Sequence, residues 1–172
     1  VGANTASNKM TPYVFSRTHG GVHIIDIGKT FDKIHLAARI FAAVKNPSNV
    51  CVVGGQEYAA RAVMRFCQLT GAVAAPTHWV PGTLTNQITR QFMEPRLLIV
   101  CDPKMDAQAV RECAYSNITV VAFCNTNDSL SYVDVAIPLN HTSQKALALG
   151  LWALAREIIR VSGSLLRNEN WD

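Results

Sequence analysis

Short, unbroken apolar runs alternating with segments of helical period limit the folds open to this chain more than any other feature. Val50–Val53, Leu97–Cys101, Ile118–Cys124 and Val135–Pro138 are each too short for an independent helix and almost wholly apolar. Such runs read as strands buried on both faces, the hallmark of a parallel sheet. Between them Phe31, Ile34, Ala38 and Phe41 recur at helical spacing, in a helix that Thr30 is expected to cap and Pro47 to end. A second helix is expected from about Glu57 to Thr70, with Ala59, Ala62, Val63 and Phe66 inward and Gly71 as its stop. Asp106 is expected to cap a third helix, and Asn140 to open the longest, ending near Gly163. Residues 12–17 and 22–27 read as a hairpin turning at His19-Gly20-Gly21, and residues 71–75 as a weak strand. The expected fold class is α/β: a doubly wound three-layer domain with a mostly parallel sheet, right-handed crossovers and an N-terminal β-hairpin.

At 172 residues and 49% hydrophobic content the chain suits one domain with a sizeable core. We expect a flexible N-terminal segment at 1–11, a single α/β domain at 12–167 and a C-terminal tail at 168–172. Only 16% of residues are charged, which argues against disorder. The net charge of +4 permits a polyanionic partner without demanding one. The longest apolar run, Ala146 to Ala155, is too short to span a bilayer and reads as a buried helix segment. Cys51, Cys67, Cys101, Cys113 and Cys124 are widely spaced, without a Cys-x-x-Cys, and are expected as reduced core thiols. Asn117, Asn127 and Asn140 begin Asn-x-Ser/Thr triplets that read as chance matches, no signal peptide preceding them.

Ligands in doubly wound folds gather beyond the carboxyl ends of the strands, where this chain places Gly54-Gly55, Asp102, Asn125 and Asp128. A phosphate- or nucleotide-using enzyme would work there, so Asp102 and Asn125 define the rival catalytic reading. Gly54-Gly55 reads as a plain turn, because Glu57 in the first helical turn would repel a phosphate. Asp102 and Asp106 suit a magnesium ion, or equally a turn former and a helix cap neutralised by Lys104. His19, His23, His35, His78 and His141 are scattered, and no spacing pairs them as metal ligands. Neither a catalytic residue, a metal nor a cofactor is therefore assigned.

The segment Pro81-Gly82-Thr83-Leu84-Thr85-Asn86-Gln87 is different. Pro81-Gly82 forces a turn, four hydrogen-bonding side chains follow at Thr83, Thr85, Asn86 and Gln87, and Arg90 and Arg96 flank the next strand's entrance. A loop without acid, nucleophile or metal ligand suits gripping a phosphate backbone better than breaking a bond. Arg61, Arg65 and Gln68 share one helical face, with Glu57 one turn before Arg61, and Arg156 and Arg160 repeat that spacing. Arg17, Lys29 and Lys33 add to this cationic set. Trp152 reads as core, Trp79 as support beneath the Pro81 turn, and Trp171 as an exposed ring suited to docking on a neighbour.

Several separated blocks together resemble one family. They are Gly21-Val22-His23-Ile24-Ile25-Asp26, Leu36-Ala37-Ala38-Arg39, the Pro81–Gln87 loop, Glu94–Pro103, Asn125–Asn127, Tyr132–Pro138 and Ala155–Arg160. In that order they resemble the small-subunit ribosomal protein SA family, also called the laminin-receptor-precursor family. Little chain lies between Asn86 and Leu97, where bacterial relatives insert a helical hairpin, so the resemblance is to the archaeal and eukaryotic branch. It implies a structural component of the small ribosomal subunit that binds small-subunit rRNA and neighbouring ribosomal proteins and serves subunit assembly and translation. It implies a cytoplasmic location on the ribosome, a nuclear one during assembly, and neither membrane nor small-molecule substrate. Residues expected at rRNA are Arg17, Lys29, Lys33, Thr83, Thr85, Asn86, Gln87, Arg90 and Arg96; those expected at protein partners are Trp171, Arg156 and Arg160. A second alternative, laminin or matrix binding, falls on Ile137–Arg160, a segment expected to be largely buried helix.

Overall fold

The computed structural model describes residues 5–75, 78–169 and 171. The apolar runs form strands β3 (Val50–Val53), β5 (Leu97–Val100), β6 (Thr119–Cys124) and β7 (Val135–Pro138), joined by β4 (Val73–Ala75). All five are parallel, in the order β4-β3-β5-β6-β7, with Val50 opposite Leu97, Leu97 opposite Thr119 and Val121 opposite Val135. The order reverses direction between β3 and β5, as the doubly wound reading requires. The hairpin forms as β1 (Val14–Arg17) and β2 (His23–Ile25), a separate antiparallel sheet.

Alternate side chains of each buried strand feed two cores, because successive residues point to opposite faces. Val50, Val52, Ile99, Val121 and Phe123 face the layer of helices α1 (Ile27–Ala43), α2 (Glu57–Thr70) and α4 (Gln144–Val161). Cys51, Val53, Leu98, Val100 and Ala122 face α3 (Ala107–Ser116), together with Met10, Trp79 and Leu84. The three expected layers are thus present, and Trp79 lies in the core beside Leu84 beneath the Pro81 turn.

Several local readings change. Asp26, not Thr30, caps α1 by accepting the Gly28 N–H at 3.0 Å. Thr30 lies one turn inside, its hydroxyl 2.7 Å from the Pro138 carbonyl, which ties α1 to the end of β7. The longest helix starts at Gln144, not Asn140. The sequence leaves residues 1–11 as a loose end, yet Asn8–Tyr13 form a 3-10 turn and Met10 is completely buried. The Ser7 N–H donates to the Thr126 carbonyl at 2.8 Å, so the domain includes this segment; residues 1–4 lie outside the described part. Of the expected tail, Asn170 and Asp172 also lie outside it.

All five cysteines are buried and free. Burial pushes the Cys51, Cys67 and Cys113 thiols up to about 12, and Cys101 and Cys124 move in the same direction. They are core groups, as expected. No helix among the described residues is long and apolar enough to cross a membrane.

Candidate functional site

The carboxyl ends of the strands were the place to look for chemistry, and the structure fills that crevice with the protein's own polar groups. Asp102, just after β5, forms the expected turn: Oδ1 accepts the Lys104 and Met105 N–H groups at 2.9 and 3.3 Å. Its Oδ2 accepts from Gln56 Nε2 at 3.0 Å, bridging the ends of β3 and β5 where the strand order reverses. Asp106 does not cap α3 with its side chain; its carboxylate turns back and accepts the Gly55 N–H at 3.1 Å. A Cβ on Gly55 would lie 2.5 Å from Asp106 Oδ1, so only glycine admits this approach. Burial pushes the Asp106 carboxyl up to about 6, opposed by the Gly55 hydrogen bond and reinforced by Asp102.

The histidine that sequence spacing failed to pair is His141. Its Nε2 lies 2.7 Å from Asp128 Oδ2, and its Nδ1 faces Asp102 Oδ2 at 3.6 Å. Asp128 Oδ2 also accepts the Asn125 N–H at 2.7 Å, while Asn125 Oδ1 accepts the Thr126 N–H at 2.8 Å. All of these side chains are buried. Burial alone would lower the His141 pKa; the hydrogen bond to Asp128 and the charges of Asp102 and Asp128 outweigh it, and the net shift is upward. Asp102, Asp128 and His141 are the one set among the described residues spaced for a metal ion, each offering an atom within 4.8 Å of the others. Within residues 125–129, Asn125, Thr126 and Asp128 are thus buried in this interlock, whereas Asn127 and Ser129 are exposed.

The Pro81–Gln87 loop lies at the other end of the sheet, against the far half of α3. Glu112 anchors it: Oε1 accepts the Gly82 N–H at 2.8 Å and Oε2 the Leu84 N–H at 3.3 Å. Burial would raise the Glu112 pKa, but the hydrogen bonds from Gly82, Gln108 and Leu84 hold it below the ordinary value. Sequence reasoning missed Glu112, which sits mid-helix like any surface glutamate and contacts residues 28 and 30 positions away. Thr83 also departs from expectation. It is buried, with its hydroxyl donating to the Val80 carbonyl at 2.6 Å, so it shapes the turn and does not face a partner. Thr85, Asn86, Gln87 and Arg90 are exposed, as is Arg96 at the start of β5. Asn86 Oδ1 accepts the Ile88 N–H at 3.1 Å, which fixes the loop's exit.

The remaining expected contacts are placed apart from these. Arg17 Nε donates to the Gly21 carbonyl at 3.2 Å within the hairpin. Lys29 is held by the Pro12 carbonyl and by Asp26, and the Lys33 ammonium lies 5.8 Å from the Tyr13 ring centroid. Lys29 and Lys33 thus help fasten the turn at Pro12 and Tyr13 to α1, near the carboxyl end of β7, Arg17 bonds within the hairpin, and none of the three joins the loop at the amino end. Arg160 donates to Glu157 at 2.8 Å, and His35 of α1 meets the same buried carboxylate at 3.2 Å. Arg156 lies 4.8 Å over the Trp152 ring. Trp152 is 39% exposed, not core, and Trp171 stacks on it with centroids 5.6 Å apart. The ring expected to seek a neighbour packs on its own chain.

Fold and site together define a doubly wound parallel α/β domain whose strand-tip crevice is closed and whose polar loop projects from the opposite end. The family model for ribosomal protein S2 matches residues 2–94 and 87–160. Over its whole length the chain is 49% identical to small ribosomal subunit protein uS2C of Schizosaccharomyces japonicus, covering 60% of that protein. It is 45% identical to uS2 of Trichoplax adhaerens and 46% identical to uS2 of Nematostella vectensis, covering 60% and 56% of them. The chain belongs to the ribosomal protein S2 family. It spans about three fifths of the length of these relatives.

Proposed function

We propose that the chain is a structural, non-catalytic component of the small ribosomal subunit, a scaffold that binds small-subunit rRNA and neighbouring ribosomal proteins. The observation that carries this reading is the exposed set Thr85, Asn86, Gln87, Arg90 and Arg96 on a loop pinned from beneath by buried Glu112. Neutral hydrogen-bonding side chains with two flanking guanidiniums suit phosphate and ribose, and a rigid underside keeps them in register. Arg17, Lys29 and Lys33 form a second, hairpin-side patch, where intramolecular contacts reduce what is left for RNA. Trp171, Arg156 and Arg160 present a stacked, half-buried surface to a neighbouring protein. Function in the cytoplasm on the ribosome, after nuclear assembly, follows from this role.

The rival readings have less support. Asp102 and Asn125 are buried, so a substrate in solvent does not reach them. The segment proposed for matrix binding, Ile137–Arg160, buries Leu147, Leu151, Leu154 and Ile158 in the core.

Arg90→Ala combined with Arg96→Ala tests the proposal. Removing two exposed guanidiniums should leave stability within about 0.5 kcal/mol. Occupancy in sedimenting small subunits should fall, and the salt dependence of rRNA binding should flatten by about one unit of slope per lost phosphate contact. Unchanged occupancy and an unchanged salt slope would refute the loop as an rRNA surface.

A further inference from the structure

Helices α2 and α4 pack side by side, and their outward flanks enclose a groove of about 270 Å³. Tyr58, Ala62, Phe66 and Leu69 line it from α2; Ala148, Leu151 and Ala155 line it from α4. Each set recurs at helical spacing, so the groove runs along both axes. From Tyr58 to Leu69 it covers about 16 Å, or roughly three turns at 1.5 Å per residue. The Tyr58 hydroxyl donates to the His141 carbonyl at 3.0 Å and closes one end. Phe66, Leu151 and Ala155 form a buried floor, whereas Leu69 and Trp152 remain substantially exposed at the margin.

Charge selects the occupant. Arg61 and Arg65 stand one turn apart on the α2 rim, both exposed, and no acidic residue among those described lines the groove. Among the described residues Arg61 makes neither an ion pair nor a hydrogen bond; the Glu57 pairing that its spacing suggests does not form. Arg65 reaches only the Gln68 amide, at 3.4 Å. An apolar floor bordered by two cations, neither paired with an acid among the described residues, complements an amphipathic helix with carboxylates one turn apart. RNA fits less well. The floor offers a base nothing to hydrogen-bond, and the one indole at the margin is already engaged by Trp171 and Arg156.

We propose that this groove docks a single acidic amphipathic α-helix of about three turns from another protein. The inference names a kind of neighbour and does not rest on the rRNA contacts proposed above. The Pro81–Gln87 loop packs on the other face of the sheet, so the two surfaces can fail separately.

The probe is a synthetic, fluorescein-labelled, hydrocarbon-stapled helix of three turns, with leucines along one face and glutamates one turn apart beside them. Fluorescence anisotropy against the 172-residue chain should give a dissociation constant on the order of 10 µM. Arg61→Glu with Arg65→Glu should weaken binding about tenfold or more, and a lysine-for-glutamate probe should regain it on that variant. Both substitutions are exposed, so circular dichroism and the melting temperature should not move. Equal affinity for acidic and basic probes, or no binding at protein concentrations about tenfold above that constant, overturns the proposal. Displacement of the probe by a single-stranded RNA oligonucleotide, lost in the same variant, overturns it in favour of RNA. None of these results alters the sedimentation behaviour that tests the scaffold reading.

Discussion

The two ends of the parallel sheet carry similar numbers of polar side chains and use them in opposite ways. At the carboxyl end Gln56, Asp102, Asp106, Asn125, Asp128 and His141 bond to one another or to nearby backbone, and five of the six are buried. At the amino end Thr85, Asn86, Gln87, Arg90 and Arg96 remain in solvent on a loop held by Glu112. The first arrangement holds the strand tips and the starts of α2 and α4 together. It buries even the atoms without a hydrogen bond among the described residues, Asn125 Nδ2, Asp128 Oδ1 and His141 Nδ1, away from a binding partner. The second leaves its groups free for one. A doubly wound fold does not guarantee a working crevice at the strand tips; what decides is whether the polar groups there are buried against one another or open to solvent.

The comparison breaks most readily at Asp128. Asp128→Ala removes the acceptor for both His141 Nε2 and the Asn125 N–H and leaves an imidazole buried without its partner. The expected loss is about 3–5 kcal/mol by urea unfolding, and a loss below about 1 kcal/mol would mean the tips are not interlocked. The same cluster should give stability a pH dependence. The raised His141 pKa means its contribution is complete below 6.5 and fades as pH climbs through the folded value. Asp106, raised from 3.8 to about 6, slopes the same way across that interval. Unfolding midpoints should therefore decline from about pH 4 to about 6 as Asp106 ionises in the unfolded chain, and again as pH climbs above 6.5 through the raised His141 value; Asp128→Ala should flatten the second decline.

Gly55→Ala comes next. The new methyl group meets Asp106 Oδ1 and should cost about 1–3 kcal/mol. Adding Asp106→Ala removes the obstacle, so the double variant should be more stable than the two single losses predict; strict additivity would show that the contact is unimportant.

At the amino end Glu112→Gln weakens the anchor of the exposed loop. The expected cost is about 1–2 kcal/mol, with hydrogen exchange rising first at the Gly82 and Leu84 amides. Because the Glu112 pKa is lowered, its contribution is complete above 4.5 and disappears as pH falls through the folded value. If those two amides kept their protection, the loop would be held by Trp79 and Leu84 packing alone. Substitution at Arg90 and Arg96 should change stability least, within about 0.5 kcal/mol, because both side chains are exposed and hold no partner among the described residues.

The difference between the two ends also explains what could be read in advance. Strands, layers and the α2 span follow from periodicity and from Gly71, because these are local properties of neighbouring residues. The exposed loop was legible too, since Pro81-Gly82 and the run of short polar side chains have local turn chemistry. Thr83 was misplaced because hydroxyl exposure depends on which way a turn faces. Trp152 and Trp171 were each assigned the wrong surroundings because their contact joins a helix to a tail 19 residues later. Met10 looked loose for the same reason: the core that buries it comes from strands far along the chain.

The sequence by itself determined the parallel sheet, its helical covering and the polar character of both sheet ends, because hydrophobic period and turn chemistry act over a few residues. Only the tertiary structure decided which polar residues are used up internally. His141 meets Asp128 and Asp102 across 13 and 39 positions, and Gly55 meets Asp106 across 51. Burial and pairing of charge are set by where distant segments come to rest, and that placement separates a closed strand-tip crevice from an open one.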